Sequence, residues 1–252
     1  MKSHFNAVII LFVLFISCAP EKQTSDTPKR IFPDIFKNGL EAHGGLETWD
    51  SYGTLTFSEV NETDTTQYTI DLKTRDELIE KFGAYKISYF QDSIIIFPNK
   101  DSFPGKDPKF FHNLRFYFFS IPFVTADNGA FQEELPPQEL NGITYNRVKV
   151  TFGEGVGDAP KDQYILWFNQ TNNMLALINY SVTYYDENKA ENYNAIVYQN
   201  WKEVGGLKLP QEMIGYKWEN NTLGEERYRK KFADITLTKD QPEKSFFTKL
   251  EE

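Results

Sequence analysis

Cysteine is nearly absent: Cys18 is the only one in 252 residues. A single thiol excludes any disulfide within the chain, so the folded body must rest on its core. Histidine is almost as scarce, at three. No His-Glu-x-x-His occurs, and scattered imidazoles make no zinc set. No Gly-x-Ser-x-Gly marks a nucleophile elbow, and no Gly-x-x-x-x-Gly-Lys-Ser/Thr marks a phosphate loop. No two of the many acids stand out as a glycosidase pair. The expectation is therefore a protein with no catalytic residues, no metal and no cofactor, and not an enzyme. Positive charge is also short, with 27 Lys and Arg against 36 Asp and Glu and a net charge of −9. Nucleic acid needs a basic patch, so it is excluded as a partner.

Aromatic residues are plentiful: 22 Phe and 14 Tyr bring the aromatic share to 16 %. Aromatic side chains suit pleated, half-buried surfaces, which points to β structure. The length fits one domain of the barrel or sandwich kind, which runs to about 200–250 residues.

The N-terminus reads as a targeting segment. Lys2 precedes the apolar run Ala7 to Ile16, and Ser17 and Cys18 close it. A basic start, a short apolar core and a small residue make a secretion signal. The run is shorter than the about 20 residues that span a bilayer. The pattern resembles a bacterial lipoprotein signal, in which Ser17 precedes the cut and Cys18 becomes the lipid-bearing N-terminus. Phe15 stands where that pattern usually has Leu, with Leu14 adjacent. The alternative is an ordinary signal peptide with a chance cysteine. Ala19 to Lys29 is polar, holds two prolines and has no period, as a tether does. The expected division is 1–17 signal, 18–30 lipidated tether and 31–252 a single domain. The membrane is then a partner through the N-terminal lipid.

Within the domain, Ile31, Phe32, Ile35, Phe36 and Leu40 fall at helical spacing, and Gly44-Gly45 stops that helix. Period-two runs follow from Tyr52 to Phe97, separated by short polar breaks that imply antiparallel neighbours. From Pro108 the pattern turns helical through Ile121. Phe110, Phe111, Leu114, Tyr117, Phe118 and Ile121 share one face, and Phe116 and Phe119 lie off it. A helix apolar nearly all round must be covered on several sides. It is expected inside, or across the mouth of, a curved sheet. Strands resume at Ile143 and continue to Thr238, and Pro242 to Leu250 allows a last helical turn. The fold class is mainly β (α+β): a curved antiparallel half-barrel of about ten to eleven strands wrapped around two helices.

Four stretches carry a resemblance. They are Ala42-His43-Gly44-Gly45 followed by Trp49, Phe118 to Phe123 with Asp127, Gly157 to Leu166, and Val204 to Pro210. Together they resemble a Bacteroidetes-type outer-membrane lipoprotein family of unknown function with the LolA-like lipoprotein-carrier fold. The resemblance implies a half-open antiparallel barrel around helices, with an apolar cavity that receives acyl chains in the carrier members. It implies no activity. Carriers of this fold depend on an arginine in the cavity, and Arg115 is the only one on the apolar helix. Lipoproteins of this type that are displayed outward carry a dense acidic run after the cysteine. Its absence here points to the periplasmic face of the outer membrane.

Ligand contacts are expected from Phe111, Arg115, Phe116, Phe119, Trp167, Tyr180 and Trp218. The competing reading for the aromatics is a filled core. For Arg115 and His112 it is a place at the helix rim with buried stems. His43 reads as structural, in the last turn of its helix. The loop Gly153 to Asp162 reads as a solvated hairpin connection and not a calcium site. The function expected is a lipid-anchored envelope protein that binds or carries a lipid or other hydrophobic ligand. The alternative is a structural or interaction lipoprotein with a filled core.

Overall fold

In the computed structural model, residues 30–91, 93–157 and 159–250 are described. Ser17, Cys18 and the signal and tether expectations lie outside them. Residues Phe32–Glu252 form one unit, and the features below belong to it.

Twelve strands build one antiparallel sheet. They are β1 (Thr54–Val60), β2 (Thr65–Asp71), β3 (Glu77–Lys81), β4 (Tyr85–Phe90), β5 (Ser93–Phe97), β6 (Ala130–Leu140), β7 (Ile143–Phe152), β8 (Tyr164–Asn169), β9 (Leu175–Tyr180), β10 (Asn194–Val204), β11 (Leu207–Glu219) and β12 (Thr222–Thr238). Their spatial order is β5-β4-β3-β2-β1-β12-β11-β10-β9-β8-β7-β6. Two meanders, β1–β5 and β6–β12, are thus joined where β1 pairs with β12. The sheet is open and curved, with β5 and β6 as its edges.

Among the described residues five short α-helices accompany it: α1 (Asp34–Ala42), α2 (Leu46–Asp50), α3 (Pro108–Phe111), α4 (Leu114–Phe119) and α5 (Lys244–Thr248). The sequence suggested ten to eleven strands and two helices, so both counts are corrected here. The extra strand is β6. Its Pro136-Pro137 pair cannot donate to a ladder, and the register slips between Leu135 and Gln138 to accommodate it. The single helix expected from Pro108 to Ile121 is two, because Asn113 between them is left-handed at φ 57°.

Alternation along the strands sorts side chains to two faces. On β8, Tyr164, Leu166 and Phe168 join the main core, and Ile165 and Trp167 join a second cluster on the other face. The main core is filled from the sheet by Leu55, Phe57, Ile70 and Phe232, and from the helices by Phe36, Trp49, Phe116 and Phe119. Each large side chain so buried contributes about 1.5–3 kcal/mol.

Two of the four resemblance stretches, those at His43 and Gly205, meet at one pole of this core, with Phe123 of a third. Gly44 (φ 110°) lies so close to the β10–β11 turn that a Cβ there would stand 2.1 Å from the Gly206 carbonyl oxygen. Lys208 N donates to His43 O at 2.8 Å, and Tyr52 Oη donates to Gly205 O at 2.7 Å. The His43 ring is fully buried, edge-on to Trp201 at 4.6 Å, with Nδ1 2.7 Å from Gly39 O. Burial pulls its pKa from 6.5 down to about 4, so the imidazole is neutral at pH 7. Trp49 stacks on Phe123 at 4.9 Å. The stretches at His43 and Gly205 are packing devices at this pole. Among the described residues no helix is long and apolar enough to cross a membrane.

Candidate functional site

At the other pole the core does not close. A cavity of about 790 Å³ lies between the α3–α4 segment, the turn before β3, the ends of β4, β5, β7 and β8, and the loop after β7. That is within the range of about 300–1,000 Å³ typical of small-molecule pockets.

Local chemistry places its walls. Asp107 caps α3, accepting from Lys109 N at 3.0 Å, and Pro108 follows where a missing N–H does no harm. The break at Asn113 is pinned from outside. Asn113 N donates to Glu77 Oε2 at 2.7 Å, and its Nδ2 donates to Arg75 O at 3.2 Å. Arg75 itself is left-handed, at φ 67°, in the turn after β2. That turn is tied by Arg75 N to Asp71 O at 2.8 Å and by Thr74 Oγ1 to Asp76 Oδ2 at 2.7 Å.

The apolar wall is made by Leu114, Phe116, Tyr117, Phe152 and Tyr164. The polar wall is made by Arg75, His112, Asn113 and Asp127. Arg75 Nη2 meets Asp127 Oδ2 at 2.7 Å, and the guanidinium lies 5.0 Å above the Phe116 ring. His112 stacks on Tyr89 at 4.6 Å. On the loop side, Asp162 Oδ1 accepts from Thr183 N at 2.6 Å and Thr183 Oγ1 at 2.7 Å. Burial pushes the Asp162 carboxyl above its usual range, and the two Thr183 bonds oppose the shift. Behind the polar wall Glu77 is completely buried, and desolvation raises its pKa to about 8, partly offset by Asn113 N and Arg115. It is mostly protonated at neutral pH. Arg75 Nη1, Asn113 Oδ1 and Glu77 Oε1 are buried without a hydrogen-bond partner. Such atoms cost about 1–3 kcal/mol each.

The residues expected from the sequence do not gather in one place. Phe116 lines the cavity. Phe111 packs edge-on to Phe103 at 5.1 Å, beside the cavity and outside its lining. Phe119 stacks on Phe57 at 4.0 Å, and Tyr180 packs on Phe118 at 4.8 Å, both in the filled interior. Arg115 turns away from the cavity and pairs with Glu59 at 2.8 Å, and Glu59 also holds Lys230 at 2.5 Å. Trp167 and Trp218 pack together at 5.6 Å on the other face of the sheet. There Trp167 Nε1 donates to Asn179 Oδ1 at 2.8 Å, and Arg147 lies 5.0 Å over its ring. Strand parity carries that last point, since Trp167 sits between Leu166 and Phe168 on β8. Arg75, Asp127, Phe152 and Asp162 were missed. They come from separate turns and strand ends that only the tertiary fold brings together. Among the described residues, no group of three or more His, Cys, Asp or Glu could hold a metal ion.

No family model matches the sequence, and no curated protein matches it. Solved structures do show similarity in outline. A DUF1329 family protein from Desulfovibrio piger is 9 % identical, covers 85 % of this chain and 98 % of its own, and superposes with a TM-score of 0.49. A LolA superfamily protein from Nitrosomonas europaea is 13 % identical, covers 81 % and 96 %, and has a TM-score of 0.43. At such values ligand and activity must be read from this chain's own residues.

Proposed function

We propose that this protein is a lipid-anchored component of the bacterial cell envelope that holds a lipid or other hydrophobic ligand in the cavity between α4 and the ends of β7 and β8. One observation carries this reading. In an otherwise filled interior, a space of about 790 Å³ stays open, and one of its walls is aromatic and aliphatic. Burial of an acyl chain there gains about 0.8 kcal/mol per CH₂, so a modest length of chain binds measurably. Periplasm-facing attachment at the outer membrane through Cys18 completes the reading and rests on the sequence pattern.

Organic extraction of the purified full chain, followed by mass spectrometry, tests the ligand. A stoichiometric lipid or comparable apolar molecule is the expected result. An empty extract, together with no uptake of added lipid, would contradict it. The anchor is tested separately by Cys18→Ala, which abolishes metabolic labelling with a fatty acid. Unchanged labelling would remove the lipoprotein assignment.

A second reading has its own support. Most of the interior is closed by stacked rings, Phe57 on Phe119 at 4.0 Å and on Tyr68 at 5.0 Å among them. A structural or interaction role for a filled half-barrel is favoured if extraction and uptake both fail.

A further inference from the structure

The lining of the cavity is balanced in charge. Among the described lining residues, Arg75 and Lys109 are the cations, and Asp127 and Asp162 are the anions. Lys109 already has a partner. Arg75 meets Asp127 at 2.7 Å, and both side chains remain about a third exposed, so the pair borders the open space. Asp162 stands on another wall, held by Thr183. A phosphate or carboxylate entering here finds a guanidinium that is already matched, and it faces two carboxylates. Like charge at close range in a partly dry site is unfavourable.

Bare hydrocarbon suits only half of the lining. It gives no partner to the polar wall, where the Arg75–Asp127 pair borders the open space with both side chains partly exposed. One member of that pair is a donor and the other an acceptor. A hydroxyl drawn up to the pair can serve both, whereas an ionised phosphate can serve only the donor.

We propose that the cavity holds an amphipathic molecule with an uncharged, hydroxyl-bearing head group, the chemistry of a monoacylglycerol, and that Asp127 sets this choice by neutralising Arg75. The inference rests on the reading of the cavity as a site for an apolar ligand. The acyl chain lies against Leu114, Phe116, Phe152 and Tyr164, and the head lies at Arg75 and Asp127.

The test is a displacement titration on the full chain. A neutral fluorescent naphthylamine dye is bound first and then displaced by three probes of equal chain length: a monoacylglycerol, a fatty acid and a lysophosphatidic acid. The monoacylglycerol is expected to displace the dye at a concentration about tenfold or more below that of the lysophosphatidic acid. Asp127→Asn leaves Arg75 unmatched, and it shifts the ratio about tenfold toward the two anions. Equal or tighter binding of the anions by the unaltered chain would overturn the head-group assignment and keep the cavity reading. Failure of the dye and all three probes to bind would overturn the cavity reading, and this inference with it. The head-group comparison is made on the unaltered chain, so it stands whether or not Asp127→Asn folds.

Discussion

The two poles of the half-barrel are built from similar residues and differ in how they close. At the Gly44 pole, Trp49 stacks on Phe123, His43 sits edge-on to Trp201, and two glycine pairs let backbone touch backbone. At the Arg75 pole, Phe116, Tyr117 and Tyr164 are equally aromatic, yet the space before them is open and three buried polar atoms lack partners. The segment from Pro108 to Ala126 runs through both poles. Phe116 belongs to each, 6.4 Å from Trp49 in a stacked arrangement and fully buried within the cavity lining. Aromatic content therefore does not distinguish a core from a binding site. What distinguishes them here is whether the rings stack against one another or face a gap edged with charge.

The sharpest way to break this contrast is Gly44→Ala. The new Cβ falls 2.1 Å from the Gly206 carbonyl oxygen, at a φ that disfavours side chains, with backbone on both sides. A loss of about 3 kcal/mol or more is expected in denaturant unfolding. Phe123→Ala, which opens the stack on Trp49, follows at about 3–5 kcal/mol. At the cavity the effect on stability is much smaller. Ala159→Trp fills space from the loop side, with a stability change within about 1 kcal/mol, and it abolishes ligand uptake.

The poles also titrate in opposite senses. His43 is neutral when folded, with a pKa near 4 against 6.5 when unfolded. Its contribution is present above pH 6.5 and is lost as pH falls toward 4, about 3 kcal/mol in all. Glu77 is protonated when folded, with a pKa near 8 against 4.5 when unfolded. Its contribution is greatest below pH 4.5 and is lost as pH rises toward 8. In pH-dependent melts, His43→Gln flattens the acid side and Glu77→Gln flattens the neutral-to-alkaline side. Parallel curves for the variants and the parent would show that neither group is buried as described.

Much of the scaffold was legible because strand alternation is local. The residues from Leu55 to Phe97 and from Ile143 to Thr238 declare their period within each run. β6 was hidden, since Pro136 and Pro137 together with acidic neighbours read as a loop until the sheet edge accommodates them. The break at Asn113 was hidden too. Nothing in an apolar run marks where a left-handed asparagine will be caught by Glu77 from a distant strand. The cavity was the least legible part: Phe116 was expected there, and His112 was weighed as a ligand contact against a place at the helix rim. Arg75 and Asp127 are 52 residues apart and meet only because β2–β3 and the segment after α4 close on the same pole. Trp167 and Trp218 drew notice for their size, and strand parity sends them to the other face.

The most direct measurement is photocrosslinking of the full chain with a fatty alcohol carrying a diazirine near its chain terminus, followed by peptide mapping. Label confined to residues 108–119 and 152–164 is the expected result, because these stretches carry the apolar wall of the cavity. Label centred on Trp49, Phe123 or Trp201, or no saturable label at all, would contradict the division of the half-barrel into a closed pole and a ligand-holding one.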